Sequence, residues 1–206
     1  KVGKHLQPAV MKALLEKTEG KIKPSAIPLW SVMMARHLTL LNASYFDAQR
    51  QRTEADDELK IQNSLIEIIE QANGYPETLF MSIVAGADLF VDLDFCIDVL
   101  RLLAVSEFGL RESDLHNLLG QKWDALKWAE TRRYLGPLLN VHDENGIIDF
   151  SYPNFRSELC IQAGDNLGPY LVALADYMHH IVANNSLDLV ANRELPYIAL
   201  KTQSTE

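Results

Sequence analysis

Apolar residues recur at three- and four-residue intervals along most of this chain. In residues 5–19 they fall at Leu6, Val10, Ala13 and Leu14, a helical spacing that Gly20 and Pro24 bring to a stop. Ser25 stands where it can cap a second helix. Pro28 falls in that helix's first turn, where a missing N–H costs nothing. Leu29, Val32, Met33, Leu38 and Leu41 carry the helix to Asn42. Residues 49–58 are polar and charged and read as an exposed loop or the opening of a helix. Residues 59–72 are amphipathic, with Leu65, Ile66, Ile68 and Ile69 on the apolar face, and Asn73-Gly74 ends them.

Residues 78–91 predict another helix. Asp92 opens the next, which runs to Val105 with Phe95, Val99, Leu102 and Leu103 on one face. Asp92 and Asp94 in its first turn complement the helix dipole. Phe108-Gly109-Leu110 turns the chain, residues 112–119 form a short helix, and residues 123–135 form another that Gly136-Pro137 stops. Then the period changes. Residues 138–142 and 147–151 read as strands around the turn signal Asp143-Glu144-Asn145-Gly146. Helices return at 153–161 and 167–182, the latter with Leu171, Leu174, Ala175 and Met178 on one face, and a short one opens at 193–200. The expectation is a mainly α fold: a helical subdomain over 1–90, a winged helix of three helices and a hairpin wing over 91–163, and trailing helices over 164–206.

Composition narrows the classes. In 206 residues the formal net charge is −9, which counts against binding through phosphates or to anionic membranes. The longest apolar stretch, residues 79–91, is broken by Gly86 and Asp88 and is too short to span a bilayer. No signal-peptide pattern opens the chain, so the expected location is cytoplasmic. The absence of an initiator methionine leads to the expectation of a domain cut from a larger polypeptide or a processed product. Cys96 and Cys160 lie in apolar helical contexts and read as free thiols rather than a disulfide framework.

Candidate chemistry within the chain is sparse. No G-x-S-x-G elbow is present, and His179-His180 are adjacent, about 100° apart on a helix, without the spacing of a metal pair. Met33-Met34 and the aromatics Phe90, Phe95 and Phe108 read as core. No G-x-x-x-x-G-K-[ST] loop occurs, so the chain holds no phosphate cradle of its own. Lys122, Lys127, Arg132 and Arg133 make the helix before the hairpin locally basic. Asp124, Glu130, Asp143, Glu144 and Asp149 dilute that charge, and Trp123 and Trp128 read as core or interface anchors.

Three stretches together resemble the STAND-class NTPases, the group of NACHT and NB-ARC proteins. Ala26-Ile27-Pro28-Leu29-Trp30 is similar to the Gly-x-Pro-Leu helix start of the ATPase helical subdomain, with Ala26 at the glycine position. Residues 102–115, ending Phe108-Gly109-Leu110-Arg111-Glu112-Ser113-Asp114-Leu115, resemble the Gly-Leu then Glu-x-x-Leu opening of the family's winged helix, with Trp123 at a family-like spacing. Residues 148–159 resemble the family's Phe-x-His segment, with Tyr152 at the histidine position. A weaker echo is Arg193-Glu194-Leu195-Pro196-Tyr197, where sensor repeats often begin.

The resemblance implies a non-catalytic lid and oligomerisation-control module, serving signalling or defence, in a parent that binds ATP or ADP with Mg²⁺ through an upstream P-loop domain. Pro28 would lie on the adenine side and Tyr152 near the phosphates. Tyrosine donates one hydrogen bond but does not become a cation at neutral pH. Implied partners are the upstream ATPase domain, further copies of the protein on activation, and a protein trigger reaching a downstream sensor. Two other classes remain open: a winged-helix DNA-binding regulator with an N-terminal helical domain, and a helical adaptor without an ATPase.

Overall fold

The computed structural model describes residues 6–41, 57–136, 138–142 and 146–203. The polar stretch 49–56, Pro137 and the turn residues 143–145, all singled out above, lie outside these residues. The chain divides into two compact units, Lys1–Leu89 and Phe90–Glu206.

In the first unit, proline opens three helices: α1 (Pro8–Glu16), α2 (Pro28–Leu40) and α4 (Pro76–Ala85), with α3 (Asp57–Gln71) between the last two. α1 packs on α3 and α2 packs on α4. Their inward residues form one core around Trp30, Met33, Met34, Ile69, Leu79 and Phe80. The indole of Trp30 stays satisfied when buried because its Nε1 donates to the Asn73 carbonyl at 2.7 Å. Ser25 does not cap α2. Ile27 takes the cap position, and the Ser25 hydroxyl donates instead to the Leu15 carbonyl at 2.8 Å, satisfying the frayed end of α1. The helix expected over 78–91 ends earlier, because Gly86 closes α4 and Ala87–Leu89 tightens into a 3₁₀ turn.

The second unit is built on α5 (Leu93–Val105), which buries Phe95, Cys96, Val99, Leu100, Leu102, Leu103 and Ala104. The Asp92 carboxylate caps it, accepting from the Phe95 N–H at 3.0 Å. There follow β1 (Leu110–Arg111), α6 (Glu112–Leu119), α7 (Ala125–Leu135), β2 (Leu139–His142) and β3 (Ile147–Phe150). The three strands make one antiparallel sheet in the order β1-β3-β2, with Leu110 opposite Ile148 and Val141 also opposite Ile148. Ile148 and Phe150 alternate inward on β3, which packs against α5. α8 (Pro153–Ala163) lays Phe155 and Leu159 on α5, and α9 (Gly168–Asn184) packs on α5 and on α10 (Leu189–Gln203). α10 is longer than the expected 193–200 and carries Pro196 in its interior.

Candidate functional site

The densest polar construction among the described residues surrounds β1. Leaving α5, the chain turns through Ser106–Gly109 and enters the sheet. Gly109 has φ +81° and sits so close to β3 that a Cβ there would stand 2.5 Å from the Ile148 carbonyl oxygen. Only glycine meets both demands without strain. Two residues on, Arg111 precedes α6, and the Asp114 carboxylate reaches back to its N–H at 2.9 Å. Asp114 also accepts from Arg111 Nε at 2.8 Å and from the Tyr177 hydroxyl of α9 at 2.9 Å. The other side of the guanidinium meets Asp188 at 2.8 Å. The Asp114 carboxylate, and Asp188 after it, hold the Arg111 guanidinium above its ordinary range. Burial pushes the Asp188 carboxyl up, but the Ala191 N–H and Arg111 outweigh it and leave it below the usual carboxylate range.

On the opposite side of the same turn, Glu194 of α10 is fully buried. Its carboxylate accepts from Ser106 Oγ at 2.5 Å, from the Phe108 N–H at 2.7 Å and from the Glu107 N–H at 3.1 Å. A buried carboxylate is tolerated when its oxygens are met in this way. Periodicity and composition point to neither this cluster nor the Arg111 cluster. The only signal was the place of Glu194 in the 193–197 segment.

The residues named from the resemblance lie in different units and are described separately. Pro28 is exposed in the first turn of α2, two residues before the buried Trp30. Tyr152 is half-buried at the N-cap of α8, its ring edge-on to Phe155 with centroids 5.5 Å apart. Its hydroxyl receives a long contact of 3.4 Å from Asn154 Nδ2. Both side chains are therefore reachable by a ligand.

The basic residues around α7 are largely engaged within the protein. Lys127 pairs with Asp92 at 2.6 Å, Lys122 with Asp98 at 2.7 Å, and Arg132 with Glu112 at 3.4 Å. The Lys127 ammonium holds the Asp92 carboxyl below its usual range. Lys122, Lys127, Asp92 and Asp98 line an open cleft of about 730 Å³ together with Trp123 and Tyr170, whose hydroxyl donates to Asp98. Trp123 is half-buried and tilts against Phe95, His116 and Trp128; Trp128 is buried.

Burial, and the nearby Asp92 charge, push the Cys96 thiol up to about 12, so it is no nucleophile at neutral pH. Burial raises the Cys160 thiol as well. Among the described residues no group of three His, Cys, Asp or Glu side chains is arranged to hold a metal ion, and no helix is long and apolar enough to cross a membrane.

No protein-family model, curated protein or solved structure matches the chain.

Proposed function

We propose that this chain is the helical subdomain and winged-helix region of a STAND-class NTPase, acting as a non-catalytic lid on nucleotide held by an upstream P-loop domain. The observation that carries the reading is the order of elements from 93 to 150: helix, short strand, helix, helix, then a hairpin whose second strand pairs with the first short strand. A winged helix has its elements in this order, which supports reading β2 and β3 as the wing. Residues of the stretch that carries the resemblance also shape this junction: Gly109 by its close approach to β3, Leu110 and Leu115 as core, and Asp114, between Glu112 and Leu115, as the carboxylate gripping Arg111.

In this reading the nucleotide supplies the bias of a two-state switch. The lid rests against the ATPase core in one state and releases it for self-association in the other. Pro28 offers an exposed apolar ring to the base, and Tyr152 offers a hydroxyl to a phosphate oxygen. The adaptor class shares the fold and differs only in lacking the upstream domain. The DNA-binding reading has less behind it. Three of the four cations around α7 already face carboxylates of the same chain, and α7 presents Glu130 beside them.

The test is the native polypeptide: its intact mass in the source cell, with peptide sequencing upstream of Lys1. A long extension containing G-x-x-x-x-G-K-[ST] is expected. A native chain beginning at or near Lys1 overturns the lid reading. In the intact protein, Pro28→Ala is expected to weaken ADP affinity about tenfold, or ~1.4 kcal/mol. The exposed first-turn position accepts alanine, so thermal stability stays near that of the parent. Unchanged affinity at unchanged stability removes Pro28 from the nucleotide site.

A further inference from the structure

α10 is held to the rest of the second unit by an unusual share of polar contacts. Its apolar anchors are few: Val190, Ala191 and Ile198 are its buried apolar residues among those described. Pro196 removes one rung from its hydrogen-bond ladder. Against this stand two polar fastenings. At the N-terminal end, Asp188 accepts from the Ala191 N–H at 3.0 Å, capping the helix, while its other oxygen takes Arg111 Nη1 at 2.8 Å. One carboxylate thus starts α10 and ties it to β1. Six residues on, Glu194 fills the cradle of two N–H groups and a hydroxyl offered by residues 106–108.

The surrounding contacts reinforce the second fastening. The Arg193 guanidinium lies 4.3 Å from the Phe108 ring centroid, and the Tyr197 ring meets the same ring edge-on at 6.3 Å. Lys201 Nζ donates to the Val105 carbonyl, the last residue of α5, at 3.2 Å. Residues 193, 197 and 201 recur every four positions, so one face of α10 grips one turn of chain. Beside the two fastenings lies an open groove of about 600 Å³. Phe108, Arg111 and Ile147 form its sheet side, and Leu187, Leu189 and Arg193 form its α10 side. Leu187 and Leu189 are 83% and 75% exposed at its rim.

We propose that α10 is a latch, with Glu194 as its bolt: a tethered carboxylate seated in an anion cradle at the α5–β1 turn. Withdrawing it frees α10 while the α5–β3 core stays folded. A segment held by a few buried charge-assisted bonds and little apolar area opens at lower free energy than the core it rests on. Losing the carboxylate leaves three donors unmet at once, one buried and two half-buried. As regulation, the latch rests on the switch reading above: pulling on the chain beyond α10 would reach the winged helix through Glu194. As mechanics, it rests on the contacts alone.

The test is hydrogen exchange by mass spectrometry on the 206-residue chain. In Glu194→Ala, amides of residues 189–203 are expected to exchange about 30- to 100-fold faster, with residues 93–150 unchanged. Glu194→Gln keeps one carbonyl acceptor for the cradle and should fall between, a partial rescue that a space-filling role would not produce. Ser106→Ala removes one donor and leaves the buried Glu194 carboxylate held by the Glu107 and Phe108 N–H groups. It is expected to give a smaller increase over the same residues, and it serves if Glu194→Ala does not fold. Uniform acceleration across 93–203, or none in 189–203, overturns the latch. No nucleotide enters the measurement, so its failure leaves the lid reading standing. A native chain lacking a P-loop sinks the lid reading without touching the latch.

Discussion

Gly109→Ala is expected to destabilise the second unit by about 3 to 4 kcal/mol, far more than the one added methyl group suggests. Two separate costs combine. At φ +81° an L-residue is strained by about 1 to 2 kcal/mol. The new Cβ would also lie 2.5 Å from the Ile148 carbonyl oxygen, 2.8 Å from Ile147 Cγ2 and 3.0 Å from Asp149 Cβ. The first of these is backbone inside a paired strand, so it cannot swing aside as a side-chain tip would. Relief requires β1 to lift from β3, which breaks the Leu110–Ile148 and Arg111–Ile147 pairing. Gly20→Ala is the control. Gly20 also has positive φ, at +59°, yet nothing lies within 4 Å of the built Cβ. That substitution is expected to cost only the conformational part, about 1 kcal/mol. Urea denaturation of both variants, with hydrogen exchange to locate the loss, checks the pair. Equal effects would mean that the close approach at Gly109 does not constrain the fold.

What the sequence displayed and what it hid divide along physical lines. α5, α7, β2, β3 and α9 were legible because each buries one face against a continuous neighbour, so apolar residues recur with a definite period. Asp92 was legible as a helix start for the same local reason, since a cap is read within three residues. β1 was not. Two residues cannot show alternation, and Phe108-Gly109-Leu110 reads as a turn until Ile148, the partner of Leu110, is known. Ser25 has the right chemistry for a cap, but a tertiary acceptor, the Leu15 carbonyl, takes its hydroxyl. α10 starts four residues before the expected 193 because Asp188 supplies a cap there, and it runs on through Pro196 to Gln203.

The candidate site was less legible still, because its chemistry joins residues far apart in sequence. Ser106 and Glu194 are 88 positions apart, and Arg111 and Asp188 are 77 apart. No window of sequence contains either pair. The basic face of α7 shows the converse: Lys127 and Arg132 look available until Asp92 and Glu112 are seen opposite them.

Asp114→Ala is expected to cost about 3 kcal/mol, and the loss should persist in salt. The Asp114 side chain is 1% exposed and receives four hydrogen bonds: the N–H, Nε and Nη2 of Arg111, and the Tyr177 hydroxyl. Truncation strips acceptors from a partly buried guanidinium and a backbone donor together. Asp188 still neutralises the Nη1 side, and Asn117 still donates to the Tyr177 hydroxyl, which keeps the loss from being larger. Asp114→Asn separates charge from shape. Its amide keeps one acceptor but turns an NH₂ toward cation and donors, so it is expected to recover only part of the stability. Glu112→Ala, in the same first turn of α6, is the contrast. Its pair with Arg132 is 3.4 Å long with both side chains about half exposed, so about 0.5 kcal/mol is expected, vanishing between about 0.05 and 0.5 M salt. The urea midpoints of these variants at two salt concentrations decide the matter. If Asp114→Ala is as mild and as salt-sensitive as Glu112→Ala, the Arg111 cluster is surface decoration. If its loss is large and persists in salt, β1, α6, α9 and the start of α10 are held at one buried charge. A force arriving along α10 would then reach the α5–β3 core through Arg111 as well as through Glu194.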